Sequence, residues 1–157
     1  MLAPETATDI RVRAAASADL DALLALENAV FTTDKLTRRG FRRLLAASTA
    51  ELIVAEKNGA LAGYAMLFYR KGASVARLYS IAVAPGVAGK GIGLRLLDAA
   101  EAAAQRRGCT RLRLEVNEHN ARAIALYRKS GYELFGRHAD YYDDHGDALR
   151  FEKKLST

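Results

Sequence analysis

Between Tyr79 and Arg107 the chain changes texture within a few residues, and that change restricts the fold more than any other feature. Residues 75–83, VARLYSIAV, read as a strand that Pro85 stops by removing a backbone donor. Glycines then stand at 89, 91 and 93, and an Ala/Leu-rich stretch over about 91–107 carries apolar residues at helical spacing. A strand that passes through a glycine-rich turn straight into a helix points to an α/β architecture. The N-terminus of such a helix carries N–H groups without intrahelical partners and the positive end of the helix dipole. Glycine lets an anion approach that backbone closely. The segment is therefore a candidate cradle for a diphosphate, with Lys90 as an added cation. The plainer alternative is a glycine turn that only joins strand to helix.

Other phosphate loops fit less well. The G-x-x-x-x-G-K-[ST] loop needs Ser or Thr after its lysine, and Gly91 follows Lys90 here. The dinucleotide fingerprint G-x-G-x-x-G opens a βαβ unit, usually near the chain start; this G-x-G-x-G follows four expected strands.

The flanking chain completes a single mixed α/β domain over residues 1–157, with a flexible tail over 1–8. Asp9 to Ala14 alternates as a strand, and Ser17 is the expected N-cap of a helix carrying Leu20, Leu23, Leu24 and Leu26. A second helix begins at Thr37 and turns Phe41, Leu44 and Leu45 inward. Leu52 to Ala55 is a buried strand, Asn58-Gly59 a type I′ hairpin turn, and Leu61 to Tyr69 a long strand. After the 91–107 helix come a strand over Arg111–Val116 and a helix over Asn120–Ser130 ended by Gly131. Two further strands surround Tyr132–Arg137 and Ala148–Lys153. The order is β-α-α-β-β-β-α-β-α-β-β.

Composition narrows the chemistry. Half of the 157 residues are hydrophobic, enough for a core, and 24 Lys and Arg against 18 Asp and Glu give a net charge of +6. That surplus invites an anionic partner. Cys109 is alone, which excludes a disulfide framework and a cysteine-based zinc site and suits buried filler. Only His119, His138 and His145 are present, so no metal is expected. No apolar run approaches the roughly 20 residues that span a bilayer. The opening MLAPETATDIRV lacks a basic start followed by an apolar stretch, so the default expectation is a cytoplasmic protein without membrane attachment.

Residues 81–94, IAVAPGVAGKGIGL, followed by 114–133, LEVNEHNARAIALYRKSGYE, resemble the GCN5-related N-acetyltransferase (GNAT) superfamily. Within it the likeness is to ribosomal-protein-alanine N-acetyltransferases of the RimI type. It runs over about 10–154 and is strongest over 78–134. The resemblance implies an acetyl-CoA-dependent N-acetyltransferase fold in which a central strand pair is splayed. It assigns Ile81, Ala82 and Val83 to the strand that pairs with the pantetheine arm. It assigns Gly89, Lys90, Gly91, Ile92, Gly93 and Leu94 to the diphosphate loop, and Asn120 to a cofactor contact. Ala88 departs from the Arg or Gln usual in the family. Glu115 corresponds to the general base and Tyr127 to the tyrosine near the CoA sulfur.

Elementary chemistry agrees with this division. Acetyl transfer to an amine must remove an ammonium proton, stabilise a developing oxyanion and protonate a leaving thiolate. Plainer readings stand beside it: Glu115 pairing with Arg111 or Arg113, Tyr127 as a packed aromatic, Asn120 as an N-cap.

The resemblance places the acceptor between residues 27–43 and the segment Tyr141-Tyr142-Asp143-Asp144. Glu27, Tyr141 and Tyr142 are candidate substrate contacts, with a protein or peptide N-terminus as the first acceptor class. Alternatives are a small-molecule amine, a non-catalytic acyl-CoA-binding module, and a basic RNA-binding domain. Residues 34–43 carry five basic side chains and one acid, residues 89–129 nine and four. The second block fits CoA. Lys35, Arg38, Arg39, Arg42 and Arg43 suggest docking on an acidic or RNA-rich partner, or a solvated helix face.

Overall fold

The computed structural model describes residues 9–32, 34–87 and 91–155. The expected tail, and Ala88, Gly89 and Lys90 of the glycine-rich loop, lie outside the described residues. The elements are β1 (Ile10–Ala14), α1 (Leu20–Val30), α2 (Arg38–Ala46), β2 (Ala50–Lys57), β3 (Ala60–Tyr69) and β4 (Val75–Val83). They continue with α3 (Ile92–Arg106), β5 (Arg111–Asn117), α4 (Ala121–Lys129), β6 (Glu133–His138) and β7 (Ala148–Lys154). The expected order is observed. The Asn58-Gly59 turn has φ of 53° and 82°, the positive values a I′ hairpin requires. β2 outruns its apolar centre because its ladder with β3 continues from Ala50 to Lys57.

The strands form one sheet in the order β1-β2-β3-β4-β5-β7-β6, antiparallel except for the β4–β5 pair. Alternation along the strands divides the core in two. On one face Ala65, Leu67, Ala76, Leu78, Leu112, Leu114 and Phe151 pack against α3 residues Leu96, Leu97 and Ala100, with Tyr127 of α4. On the other, Leu52, Val54, Tyr64 and Met66 pack against Leu23 and Leu26 of α1 and Phe41 of α2. Cys109 is buried in the first core, as filler would be. Among the described residues no helix is long and apolar enough to cross a membrane.

Ser17 is not the cap its sequence position suggests. It lies in a 3₁₀ turn, Ser17–Asp19, that runs into α1, and Asp19 holds the entry instead. The Asp19 carboxylate accepts from Ala16 N–H at 2.7 Å and binds both terminal nitrogens of Arg13 at 2.8 Å. A charged bidentate pair is a stronger anchor than a serine hydroxyl. The Arg13 hydrogen bond also holds the Asp19 carboxyl below the usual carboxylate range. Unfolding returns it to that range, near 4, so the contribution is present above pH about 4 and is lost as pH falls through the lower folded value. Asp19→Asn should therefore lower Tm at neutral pH and flatten its fall in acid. Calorimetry across pH 2–7 checks this, and an unchanged acid slope would contradict it.

Gly63 decides how close α3 can lie to the sheet. A Cβ there would stand 2.7 Å from the Ala82 carbonyl oxygen and 2.9 Å from Leu96 Cδ1. Both neighbours are packed and one is backbone, so neither yields cheaply. Gly63→Ala is expected to cost about 1–3 kcal/mol, read as a lower urea midpoint.

Candidate active site

The β4–β5 pairing runs from Val75↔Arg111 to Leu78↔Leu114 and stops. Beyond it β4 keeps only its β3 ladder and β5 only its β7 ladder. The sheet is thus open between two central strands, where continuous pairing would be normal. A bulge marks the start of the opening: Met66 pairs with Ser80 and Leu67 with Leu78, leaving Tyr79 as the extra residue. Ile81, Ala82 and Val83 pair with β3 on one side and border the opening on the other. An unpaired strand edge accepts an extended ligand through backbone hydrogen bonds.

At one end of the opening α3 begins. Gly91 occupies the N-cap position with φ 81°, and among the described residues no side chain caps the helix. Arg95 N–H is the first to find a helical carbonyl, that of Gly91, so the N–H groups of Ile92, Gly93 and Leu94 precede the helical ladder. The Ile92 side chain is in the core, which leaves its backbone for any ligand, whereas Leu94 is exposed. A Cβ at Gly93 would make only ordinary contacts with Leu126 and Val83, so packing among the described residues does not demand glycine there. A bare, uncapped start of a 15-residue helix suits an anion. Gly89 and Lys90 lie outside the described residues. Asn120 is the N-cap of α4, its Oδ1 accepting from Ala123 N–H at 3.2 Å.

On the β5 side the first residue past the paired segment is Glu115. Its neighbour is neither Arg111 nor Arg113 but Arg77 of β4, whose guanidinium donates to Oε1 at 2.6 Å. Arg111 and Arg113 instead pair with Glu152 of β7. The second oxygen, Oε2, has no hydrogen-bond partner among the described residues. Tyr142 lies close by: burial first, and then the Glu115 carboxylate, push its hydroxyl up to about 12, with Arg77 opposing.

Tyr127 approaches from α4. Its ring packs edge-on to Tyr132 at 5.8 Å between centroids and tilted to Phe151 at 6.4 Å. Burial drives its hydroxyl well above the ordinary tyrosine range, and Tyr142 adds to the shift. Tyr142 thus neighbours both Glu115 and Tyr127. The β6–β7 hairpin that carries it is tied down at two points. Asn117 at the end of β5 donates to Asp144, and Arg137 bridges Glu118 at 2.7 Å and Asp147 at 2.6 Å. Tyr141 is exposed and stacks edge-on with His138 and Tyr142.

Glu27 corrects its expectation as a substrate contact. It is 2 % exposed, and both oxygens are engaged inside the protein: Oε1 accepts from Tyr64 Oη at 2.6 Å and Oε2 from Leu36 N–H at 2.8 Å. A buried carboxylate needs such donors, and here they come from β3 and the α1–α2 connection rather than from an acceptor. Glu27 holds that connection against the sheet. Arg77 was not singled out in the sequence, although its place in the exposed alternation of β4 was a usable signal.

The site thus joins an open sheet, the start of a long helix, a carboxylate and a buried tyrosine, and comparison with known proteins gives its class. The Acetyltransferase (GNAT) family profile matches residues 20–132, and the chain belongs to that family. A Bacillus subtilis (strain 168) protein named as a candidate ribosomal protein bS18-alanine N-acetyltransferase is 33 % identical over 132 residues, 83 % of this chain and 86 % of its own. The crystal structure of the ribosomal-protein-S18-alanine N-acetyltransferase from Escherichia coli superposes with a TM-score of 0.84 at 26 % identity, over 94 % of this chain and 95 % of that one. The ribosomal-protein-alanine N-acetyltransferase from Brucella melitensis gives 0.81 at 28 %, over 92 % and 99 %. The chain is an N-acetyltransferase, of a family that uses acetyl-CoA.

Proposed function

We propose that this acetyltransferase acts on the N-terminal amine of a protein or peptide, by direct transfer in a ternary complex, in the cytoplasm. The observation that carries the reading is Glu115, with one oxygen held by Arg77 and the other open, under a hairpin bearing Tyr141 and Tyr142. Bound acetyl-CoA supplies an acetyl group activated as a thioester. The N–H groups of Ile92, Gly93 and Leu94, with the Gly89–Lys90 segment, would hold its diphosphate. The edge of Ile81–Val83 would hold its pantetheine arm, and Asn120 a further part of the carrier. Glu115 Oε2 accepts the proton that the ammonium must lose. Tyr127 Oη holds a proton at neutral pH as any tyrosine does, and burial extends that state into alkali. Tyr141 and Tyr142 line the acceptor's approach.

Lys35, Arg39, Arg42 and Arg43 are exposed, while Arg38 pairs with Asp21 at 2.5 Å. This face would dock the chain on an acidic or RNA-rich particle, and such docking would weaken with salt. The test of the function is an acceptor screen, N-terminal peptides against polyamines and amino sugars, read by release of CoA thiol. Turnover confined to small amines would overturn the peptide reading. Binding of acetyl-CoA without turnover of any amine would point to a regulatory module.

A further inference from the structure

Among the described residues, helices α1 and α2 pack chiefly on β2, β3 and β4, and not on the same face of β5, β7 and β6. An open groove of about 420 Å³ runs down this face from Glu115, walled by Arg70, Arg77, Arg113, Arg150 and Phe135. Four guanidinium groups thus line the groove with one carboxylate, Glu115, while a second, Glu152, holds Arg113 from beside it. A solvated sheet face normally balances its charges across strands. Here the balance fails at one place. Glu115 and Arg150 are register partners on β5 and β7, yet the Glu115 carboxylate turns to Arg77. Arg113 is held by Glu152 at 2.5 Å, but Arg150 has no carboxylate partner among the described residues. Its guanidinium carbon lies 4.8 Å from the centroid of the Phe135 ring, and that of Arg113 5.1 Å from the same centroid. Both guanidinium groups thus lie against the Phe135 ring, and that of Arg150 is the one left for an incoming carboxylate.

We infer that this groove selects acceptor peptides with an acidic side chain close behind the N-terminal amine, and that Arg150 reads it. The inference rests on the peptide reading of the function and deepens it. Arg150 stands directly across from Glu115 and Arg113 lies two residues along β5, about 7 Å away, so with the amine at Glu115 their long side chains flank the residues just behind it. Lysine or arginine at those positions would meet the surplus positive charge.

The experiment uses three peptides identical except for Glu, Ser or Lys at positions two to four, each with a C-terminal fluorophore. Thiol release measures turnover, and anisotropy measures binding to the protein in the presence of CoA. The Glu peptide should exceed the Lys peptide by about 10- to 100-fold in kcat/KM, the range of a charge-assisted hydrogen bond. Arg150→Glu should abolish or invert that preference. Arg106→Glu makes the same charge change at the last turn of α3, on the opposite face, and should preserve it. Equal use of the three peptides, or a preference unaltered by Arg150→Glu, overturns the inference while leaving peptide acetylation intact. Selective binding of the Glu peptide with no turnover of any peptide supports the groove and removes the peptide reading. Turnover of free glutamate without discrimination among peptides assigns the carboxylate to a small acceptor and overturns the inference.

Discussion

Glu115→Gln is expected to lower kcat by about 10²- to 10⁴-fold, the range of a positioned general base, with acetyl-CoA affinity unchanged. The substitution isolates proton acceptance. Glutamine keeps the size of the side chain, and its carbonyl oxygen can still accept from Arg77, so the local frame survives. What disappears is a group at Oε2 able to take a proton from an ammonium. Stability should change little, because the Arg77 side chain is 46 % exposed and water replaces most of what its ion pair supplied. Calorimetric titration with acetyl-CoA and thiol release at saturating acceptor separate binding from turnover. Full activity in the variant would remove Glu115 from the chemistry and leave it a surface ion pair.

Tyr127→Phe is expected to reduce kcat by a similar order, about 10²-fold or more, again without loss of acetyl-CoA binding. The ring contacts with Tyr132 and Phe151 do not need the hydroxyl, so the core stays packed. No hydrogen bond to the Tyr127 hydroxyl is made among the described residues, so its removal orphans no buried group. A proton donor must be protonated to work. Burial raises the pKa of Tyr127, so the donor form persists from neutral pH well into alkali. The wild-type rate should therefore show no alkaline fall from this group below pH about 10, the ordinary tyrosine value. An acyl donor with a more acidic leaving thiol should recover part of the Tyr127→Phe deficit, since it needs the proton less. A tyrosine that only packs would give no such recovery.

Glu115 and Tyr127 illustrate how differently residues of one site are written into a sequence. Tyr127 belongs to a helix with an N-cap at Asn120 and a C′ glycine at Gly131, features that local backbone chemistry dictates. Its place could be read without tertiary information. Glu115 was legible as a strand residue among charged alternates, but its partner was not. The sequence offered Arg111 and Arg113, its neighbours in the chain; register and side-chain reach gave it to Arg77 on β4, 38 residues away. Glu27 failed for a related reason. An acidic residue near a helix end is ordinarily exposed, and only the approach of Tyr64 from β3 and Leu36 from the following segment makes its burial tolerable.

By itself the sequence determined the elements, their order, and the strand–glycine–helix junction at 79–107. These depend on apolar periodicity, on turn residues with positive φ, and on the helix start, all interactions between residues close in the chain. The tertiary structure alone decided where β4 and β5 part company, which guanidinium meets Glu115, and that Arg150 is left without a carboxylate beside Phe135. Those outcomes depend on cross-strand register and on which sheet face the helices cover, and both follow from the packing of the whole core rather than from any short segment.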